Sequence, residues 1–489
     1  MLRLDWPYTC KHIPPDLRDP FKKVYDEALS ALASNPSSQA CWVRLFILPK
    51  ATLHCPPRGH DIYTLKTAKR RKEMRNFLFT NIKAWSSGGT SRDALVRQLL
   101  HTRPSPPPGS QQGAPPSRAQ NLLRCRKLVV EEGMFSKAVQ ALESNGLAAV
   151  TPETIQCLVD KHPRGAIPEC RPPPESAVAF TVDRATTLEC LRSFPRDTAC
   201  GRSGLRVSHL LNFLASEDDD NHPGADALTS VLSAIASGQG PAGFAPFFAS
   251  APLVPLKKKD DSIRPIAVGE VLRRLLSKIA LKDVISKETV PRYLLQGGQM
   301  GVGTPYGAEA IIMGMNRLIQ QQSLPQSTSV ALIDFSNAFN CVERSCIIDE
   351  VFQHCPSLAA YVQYTYCCPA RLYIGSEYIE SQKGVQQGDP LGPLLFSLAL
   401  QPLLNQLKEV SASVSPSSLL GAPAFLDDLS MATTTPESVI ACYDFLHAEG
   451  PKRGLHISPA KSVVWMPFGP NHTLERLARA RGLQVATGK

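Results

Sequence analysis

No apolar stretch in this 489-residue chain approaches the roughly 20 residues that a bilayer-crossing helix needs, which excludes a membrane-spanning role. Its fourteen cysteines form no Cys-x-x-Cys pair and no Cys/His spacing that suits a zinc finger. His54, Cys55 and His60 lie close together, but no second ligand pair follows, so ordinary thiols and surface histidines are expected. The opening Met1-Leu2-Arg3-Leu4-Asp5-Trp6 lacks the pattern of a secretory signal, and no repeat of solenoid period is present. A soluble protein of a reducing intracellular compartment, nucleus or cytoplasm, is expected. What remains is ordinary globular material. The hydrophobic fraction is 43%, and a net charge of +10 with a pI near 8.9 suits a polyanionic partner.

Composition divides the chain. Residues 1–102 read as a mixed, largely helical region of unknown role, with helices over Pro20 to Ala33 and Thr90 to His101. The basic run Lys66-Thr67-Ala68-Lys69-Arg70-Arg71-Lys72 between them reads as a solvated helix face, with a nuclear address or phosphate contact as the alternative. Residues 103–118 are rich in Pro, Gly, Ser and Gln, and form a linker too poor in apolar residues to pack. A helical extension follows over 119–194, with Leu122, Leu123, Leu128, Val129, Ala138, Val139 and Leu142 at helical offsets and Pro163 to Pro174 as a break. In the mixed region 195–328, Pro252 to Ile266 predicts a hairpin carrying Lys257, Lys258 and Lys259, and Val271 to Ile285 predicts a basic amphipathic helix with Arg273, Arg274 and Lys278. Hairpin and helix together can track a phosphate backbone; a solvated hairpin beside an ordinary surface helix accounts for them equally well. From 329 to 468 strands and helices alternate, predicting an α+β sheet covered by helices on one face.

The chemistry concentrates in that last region. Asp427 and Asp428 are adjacent acids between apolar neighbours, Phe425-Leu426 and Leu429, after the turn-prone Gly421-Ala422-Pro423-Ala424. They are expected at or near a hairpin tip. Neighbouring carboxylates repel one another and resist desolvation, so alone they mark a solvated turn and in company they call for a cation. The company is Asp334, at the end of the apolar strand Val330 to Ile333. Three carboxylates from two strands can hold two Mg²⁺ ions about 3.5–4 Å apart, one to activate a primer 3′-hydroxyl and one to hold a nucleoside triphosphate. Between the acidic segments, Gly384-Val385-Gln386-Gln387-Gly388-Asp389-Pro390-Leu391-Gly392-Pro393 gives a rigid loop that a ligand can approach closely.

Asp334 with Ala338-Phe339, the segment Gln386 to Phe396, and Phe425-Leu426-Asp427-Asp428 closely resemble three ordered motifs of reverse transcriptases, in the branch of non-LTR (LINE-like) retrotransposons. Arg264-Pro265-Ile266 resembles the family's fingers segment, Gly201-Arg202-Ser203-Gly204-Leu205 the Gly-rich element ahead of it, and Gly454 to Ser462 a later palm motif. The likeness spans about residues 195 to 468. It implies a right-hand polymerase fold with fingers over 195–328 and a βαββαβ-type palm over 329–468. It further implies RNA-directed DNA polymerase activity with Mg²⁺ as cofactor, or Mn²⁺ in its place, and an RNA template, a DNA primer and deoxynucleoside triphosphates as partners. By the same resemblance Asp334, Asp427 and Asp428 are catalytic and hold the metals. Phe335, Phe339, Gln387, Gly388, Arg264 and Lys461 surround the nucleotide, with Phe339 as the steric gate against a ribose 2′-hydroxyl.

Two of the family's parts are not found. No endonuclease constellation is identifiable before the linker, and after Lys461 fewer than thirty residues remain, including a short basic helix over Leu474 to Gly482 and a tail over 469–489. A truncated copy lacking the thumb is therefore expected, with a weak grip on duplex. The competing expectations are a noncatalytic nucleic-acid-binding remnant and, against the bulk of Phe339, an RNA-dependent RNA polymerase.

Overall fold

The computed structural model describes residues 8–488 except 57–59, 102–117, 131–132, 144–145, 215–222 and the single positions 176, 196, 259, 322 and 376. Nearly all of the expected linker, and Lys259, lie outside the described residues. The chain is of mixed helix and sheet and divides into two compact units. Its ten strands among the described residues are β1 (Ala251–Lys257), β2 (Ile263–Ala267), β3 (Ser329–Ile333), β4 (Ala370–Ile374), β5 (Glu377–Ser381), β6 (Leu419–Gly421), β7 (Ala424–Phe425), β8 (Asp428–Thr433), β9 (Val463–Met466) and β10 (Gln484–Thr487). Among the described residues, no helix is long and apolar enough to cross a membrane.

The first unit comprises Met1–His162, Thr181–Leu276 and Cys368–Ser381. Helices Arg18–Ser34, Gln39–Leu53, Thr67–Ser87 and Gly89–His101 pack in succession, the first and last slightly longer than the expected Pro20 to Ala33 and Thr90 to His101. Their core is aromatic. Trp42 is fully buried 5.2 Å from Phe244, which meets Phe46 edge to face at 4.9 Å, and Tyr25 meets Phe213 at 5.0 Å. The basic run occupies the exposed start of the helix Thr67–Ser87, with Arg70 over the Tyr63 ring. A four-stranded sheet of order β2-β1-β4-β5 completes the unit. β1 and β2 form the expected antiparallel hairpin, and β4 joins β1 in parallel. Leu253, Ala267, Leu372 and Ile379 seal this sheet against Leu158 of the helix Pro152–Asp160.

The second unit comprises Pro163–Phe180, Ser277–Cys367 and Gln382–Lys489. One boundary between the two units falls at 276/277, inside the helix Val271–Ser286. β4 and β5 also leave the region expected to form one sheet, because β4 hydrogen-bonds to β1. The remaining strands form a sheet of order β10-β9-β3-β8-β6, with β7 also paired to β8. Helix Pro436–Glu449 packs on β3 and β8, and against it lies the helix Gly392–Val414. Leu395, Phe396, Leu398 and Leu446 are fully buried between these elements. β10 was not expected. It pairs in parallel with β9 after the helix His472–Arg479, so the tail adds an edge strand.

Candidate active site

Antiparallel pairing of β3 with β8 ends at Ile333 opposite Leu429. Asp334 follows the first of these and Asp428 precedes the second, so continuing the register sets the two acids across from each other, where side chains on paired strands meet. Their coupling is visible in Asp428. Its carboxyl is raised above the ordinary value of 3.8, chiefly by desolvation and then by the charge of Asp334. Asp427 occupies the two-residue turn Leu426-Asp427 between β7 and β8, because Phe425 already pairs with Asp428. The hairpin carrying both acids is therefore present as expected.

The backbone of Asp334 is pinned from a third segment. Its N–H donates to Ser462 Oγ at 3.1 Å, and its carbonyl accepts from Ser458 N at 2.8 Å. Ser336 N donates to His456 O at 2.7 Å, and Phe335 bridges Ile457. The segment 455–462 thus holds the end of β3 in place. Lys461, in that segment, is exposed. The Phe335 side chain is only 3% exposed, so it is a core residue and not, as expected, a wall of a nucleotide site.

Phe339 is half-buried and stacked on Phe396 at 4.6 Å with ring planes 10° apart. Its carbonyl accepts from Val385 N at 2.8 Å, so the loop from Gly384 to Leu391 docks beside it. Gly384 has φ +68° there, and a Cβ would run into the Phe339 carbonyl oxygen and the backbone of Asn340. Within that loop Gln387 is half-buried and Gly388 is exposed at φ +123°.

Three supports of this loop escaped the sequence reading. Arg344 is 1% exposed and donates to the carbonyls of Gly384 at 3.1 Å, Tyr366 at 3.2 Å and Lys383 at 3.3 Å. Tyr366 donates its hydroxyl to Asp389 Oδ2 at 2.9 Å, and Asp389 Oδ1 accepts from Leu391 N at 3.1 Å at the entry to the helix Gly392–Val414. Asp389 is a buried brace. Only its Gly-Asp-Pro context hinted at that role.

The expected nucleic-acid residues divide. In the first unit, Arg264 is exposed and Lys257 and Lys258 are half-exposed on the β1–β2 hairpin. Arg273 and Arg274 are corrected: both are buried, Arg273 donating to Ala249 O at 2.8 Å and Arg274 to Ala199 O at 2.5 Å. A basic helix pattern does not distinguish arginines that face phosphate from arginines that cap carbonyls inside a fold. Lys278, in the second unit, is half-buried. The Gly201 to Leu205 element proves to be a packing site, where Ser203 donates through both N and Oγ to the buried carboxylate of Glu270 at 2.8 and 2.6 Å. Burial raises the Glu270 carboxyl, and the bonds from Ser203 and the charge of Arg274 oppose that rise.

Oxygen-only donors and a destabilised carboxylate suit a hard divalent cation. Among the described residues no three His, Cys, Asp or Glu side chains are already gathered around a metal position.

Residues 256–481 match the family described as reverse transcriptase (RNA-dependent DNA polymerase). The chain is 30% identical over 148 residues to a Pol polyprotein from the type-1 retrotransposable element R2 of Nasonia vitripennis, over 29% of this chain and 14% of that protein. It is 34% identical over 117 residues to the polyprotein of element R2DM of Drosophila melanogaster, over 22% of this chain and 11% of that one. The retrotransposable element SLACS 132 kDa protein of Trypanosoma brucei gambiense matches at 27% over 197 residues, covering 39% of this chain and 15% of the relative. The chain thus spans only a small part of the length of these curated relatives. Among solved structures, apo telomerase from Candida tropicalis aligns over 44% of each chain at 12% identity and a TM-score of 0.34, too distant to bear on fold. Residues 256–481 thus carry a match to the reverse transcriptase family, and polyproteins of R2 retrotransposable elements are among the relatives the chain resembles.

Proposed function

We propose that the chain is an RNA-directed DNA polymerase that adds deoxynucleotides to a primer 3′-hydroxyl on an RNA template. In this reading the second unit contains the palm of a right-hand polymerase fold, and the β1–β2 hairpin belongs to its fingers. The observation that carries it is the meeting of Asp334 and Asp428 at the end of the β3–β8 register, with Asp427 in the adjoining turn. Asp334, Asp427 and Asp428 would hold the divalent cations, which would supply charge neutralisation for the attacking hydroxyl and the leaving pyrophosphate.

The chain's own residues do the rest. Ser458 and Ser462 fix the backbone that presents Asp334. Phe339, stiffened by its stack on Phe396, stands as a flat wall where a 2′-hydroxyl is to be refused. Gln387 and Gly388, on a loop braced by Arg344 and Asp389, shape the nucleotide side, and exposed Lys461 offers a cation to phosphate. Arg264, Lys257 and Lys258 provide phosphate contacts on the hairpin, which makes binding salt-dependent.

Primer extension on an RNA template tests the reading. Purified chain is expected to incorporate deoxynucleotides with Mg²⁺, and Asp427→Ala to abolish incorporation. Salt-dependent RNA binding without extension under any metal condition would instead identify a noncatalytic binding protein.

A further inference from the structure

The tip of the β7–β8 hairpin is strained in a way the hairpin itself does not relieve. Leu426 sits at φ +57°, a left-handed backbone that a branched side chain adopts at roughly 1–3 kcal/mol. It is the first residue of a two-residue hairpin loop, where a positive φ ordinarily selects Gly, Asn or Asp. The counterforce comes from 127 residues away in sequence. Gln299 is fully buried, and its amide spends both ends on this one residue: Oε1 accepts from Leu426 N at 2.8 Å, while Nε2 donates to Leu426 O at 3.0 Å. The same Oε1 accepts from Gly301 N at 2.9 Å.

The neighbouring backbone closes the grip. Met300 N donates to Ala424 O at 2.7 Å, and Ala424 N to Gly298 O at 2.9 Å. Two glycines make the approach possible. A Cβ on Gly301 would lie 2.7 Å from Leu426 N, and one on Gly298, at φ +92°, would lie 2.6 Å from Ala422 O.

We propose that Gln299 is a positioning residue that clamps the Leu426 peptide in its left-handed conformation and thereby aims Asp427 and Asp428 toward Asp334. The inference rests on the polymerase reading for its consequence and on hydrogen bonds alone for its mechanism. A turn released from the clamp relaxes toward negative φ, which rotates the peptide leading into Asp427. An amide is required. A carboxylate at the same length keeps the acceptor but turns a charge toward Leu426 O, and an apolar isostere leaves buried backbone groups unpaired.

The test uses the full chain with Gln299→Met, Gln299→Glu, and Leu426→Gly alone and combined with Gln299→Met. Hydrogen exchange at the peptide containing Leu426, and the Mg²⁺ concentration for half-maximal primer extension, are read beside the melting temperature. Gln299→Met is expected to speed exchange at that peptide by about tenfold or more and to raise the Mg²⁺ requirement by about tenfold, with a smaller change in the KM for nucleotide. Leu426→Gly, which adopts the turn without strain, is expected to restore most of the Mg²⁺ response in the Gln299→Met background. Gln299→Glu is expected to fall between the two. A merely structural role would lower the melting temperature and the active fraction while leaving the Mg²⁺ requirement in place, with no rescue by Leu426→Gly. Unchanged exchange at Leu426 in folded Gln299→Met or Gln299→Glu overturns the clamp. An unaltered chain that shows no extension, yet exchanges as expected in the variants, refutes the polymerase reading and leaves the clamp standing.

Discussion

The β1–β2 and β7–β8 hairpins each contain a non-glycine residue at positive φ, Asp261 at +58° and Leu426 at +57°. In the first, the strain is met locally. Asp tolerates the left-handed region, Asp260 Oδ1 accepts from Ser262 N at 3.1 Å and Ser262 Oγ at 2.7 Å, and Lys258 N closes the loop on Ser262 O at 2.8 Å. In the second, nothing within the loop suits the conformation. Gln299, Gly298 and Gly301 impose it from another part of the chain. The difference separates a turn that closes a strand pair from a turn that aims acids: the first follows from its own residues, and the second needs the surrounding fold.

The largest contrast should be chemical. Asp427→Ala is expected to lower deoxynucleotide incorporation by about 10³-fold or more, whereas Asp260→Ala should leave the melting temperature within about a degree of the unaltered chain. Comparable effects on folding from both substitutions would erase the distinction between the hairpins.

Phe339→Ala comes next. In the proposed reading Phe339, stacked on Phe396, is the rigid wall of the site, so truncation is expected to improve ribonucleotide use relative to deoxynucleotide use by roughly 10- to 100-fold, read by competitive single-nucleotide extension. An unchanged ratio would return Phe339 to the core.

Glycines then sharpen the comparison at the level of stability. Gly301→Ala drives a Cβ to 2.7 Å from Leu426 N, and is expected to destabilise the chain by about 2 kcal/mol or more in chemical denaturation. Gly375, in the turn between β4 and β5, has φ +58° with open space around it, so Gly375→Ala meets backbone strain alone, about 1 kcal/mol.

The smallest effect concerns pH. The folded state raises the Asp428 carboxyl above its ordinary 3.8, so it binds more protons than the unfolded state in the window just above that value. Stability therefore falls as pH rises through the window and stays at the lower level at neutral pH. In buffer free of divalent cations, Asp428→Asn is expected to raise the melting temperature at pH 7 by on the order of 1–2 °C, with the difference vanishing in acid. A lower melting temperature at pH 7 would mean that the carboxylates are not opposed.

Much of this was legible in sequence because it is local. A short apolar run indicated β3, the turn-forming residues indicated the β1–β2 hairpin, and the order of Asp334, Gln387-Gly388 and Asp427-Asp428 along the chain indicated the candidate site. What was not legible depends on distant partners. Nothing beside Arg344 in sequence reveals that its guanidinium will bind three carbonyls of buried backbone, and nothing beside Arg273 or Arg274 distinguishes a carbonyl cap from a phosphate contact. The parallel pairing of β4 with β1 likewise has no local signal, and it carries residues 368–381 into the first unit. Gln299 lies in a Gly-Gly-Gln-Met-Gly segment that carries no local signal of its role, since its two hydrogen-bond partners on Leu426 lie 127 residues onward.

The central claim is that acids from two strands, brought together by the end of one register, share a divalent cation. Mn²⁺ affinity measured by electron paramagnetic resonance on the unaltered chain, Asp334→Asn and Asp428→Asn tests it directly. Both substitutions are expected to weaken Mn²⁺ by about tenfold or more, although they lie on different strands. Affinity that is unchanged by either one would contradict the shared site.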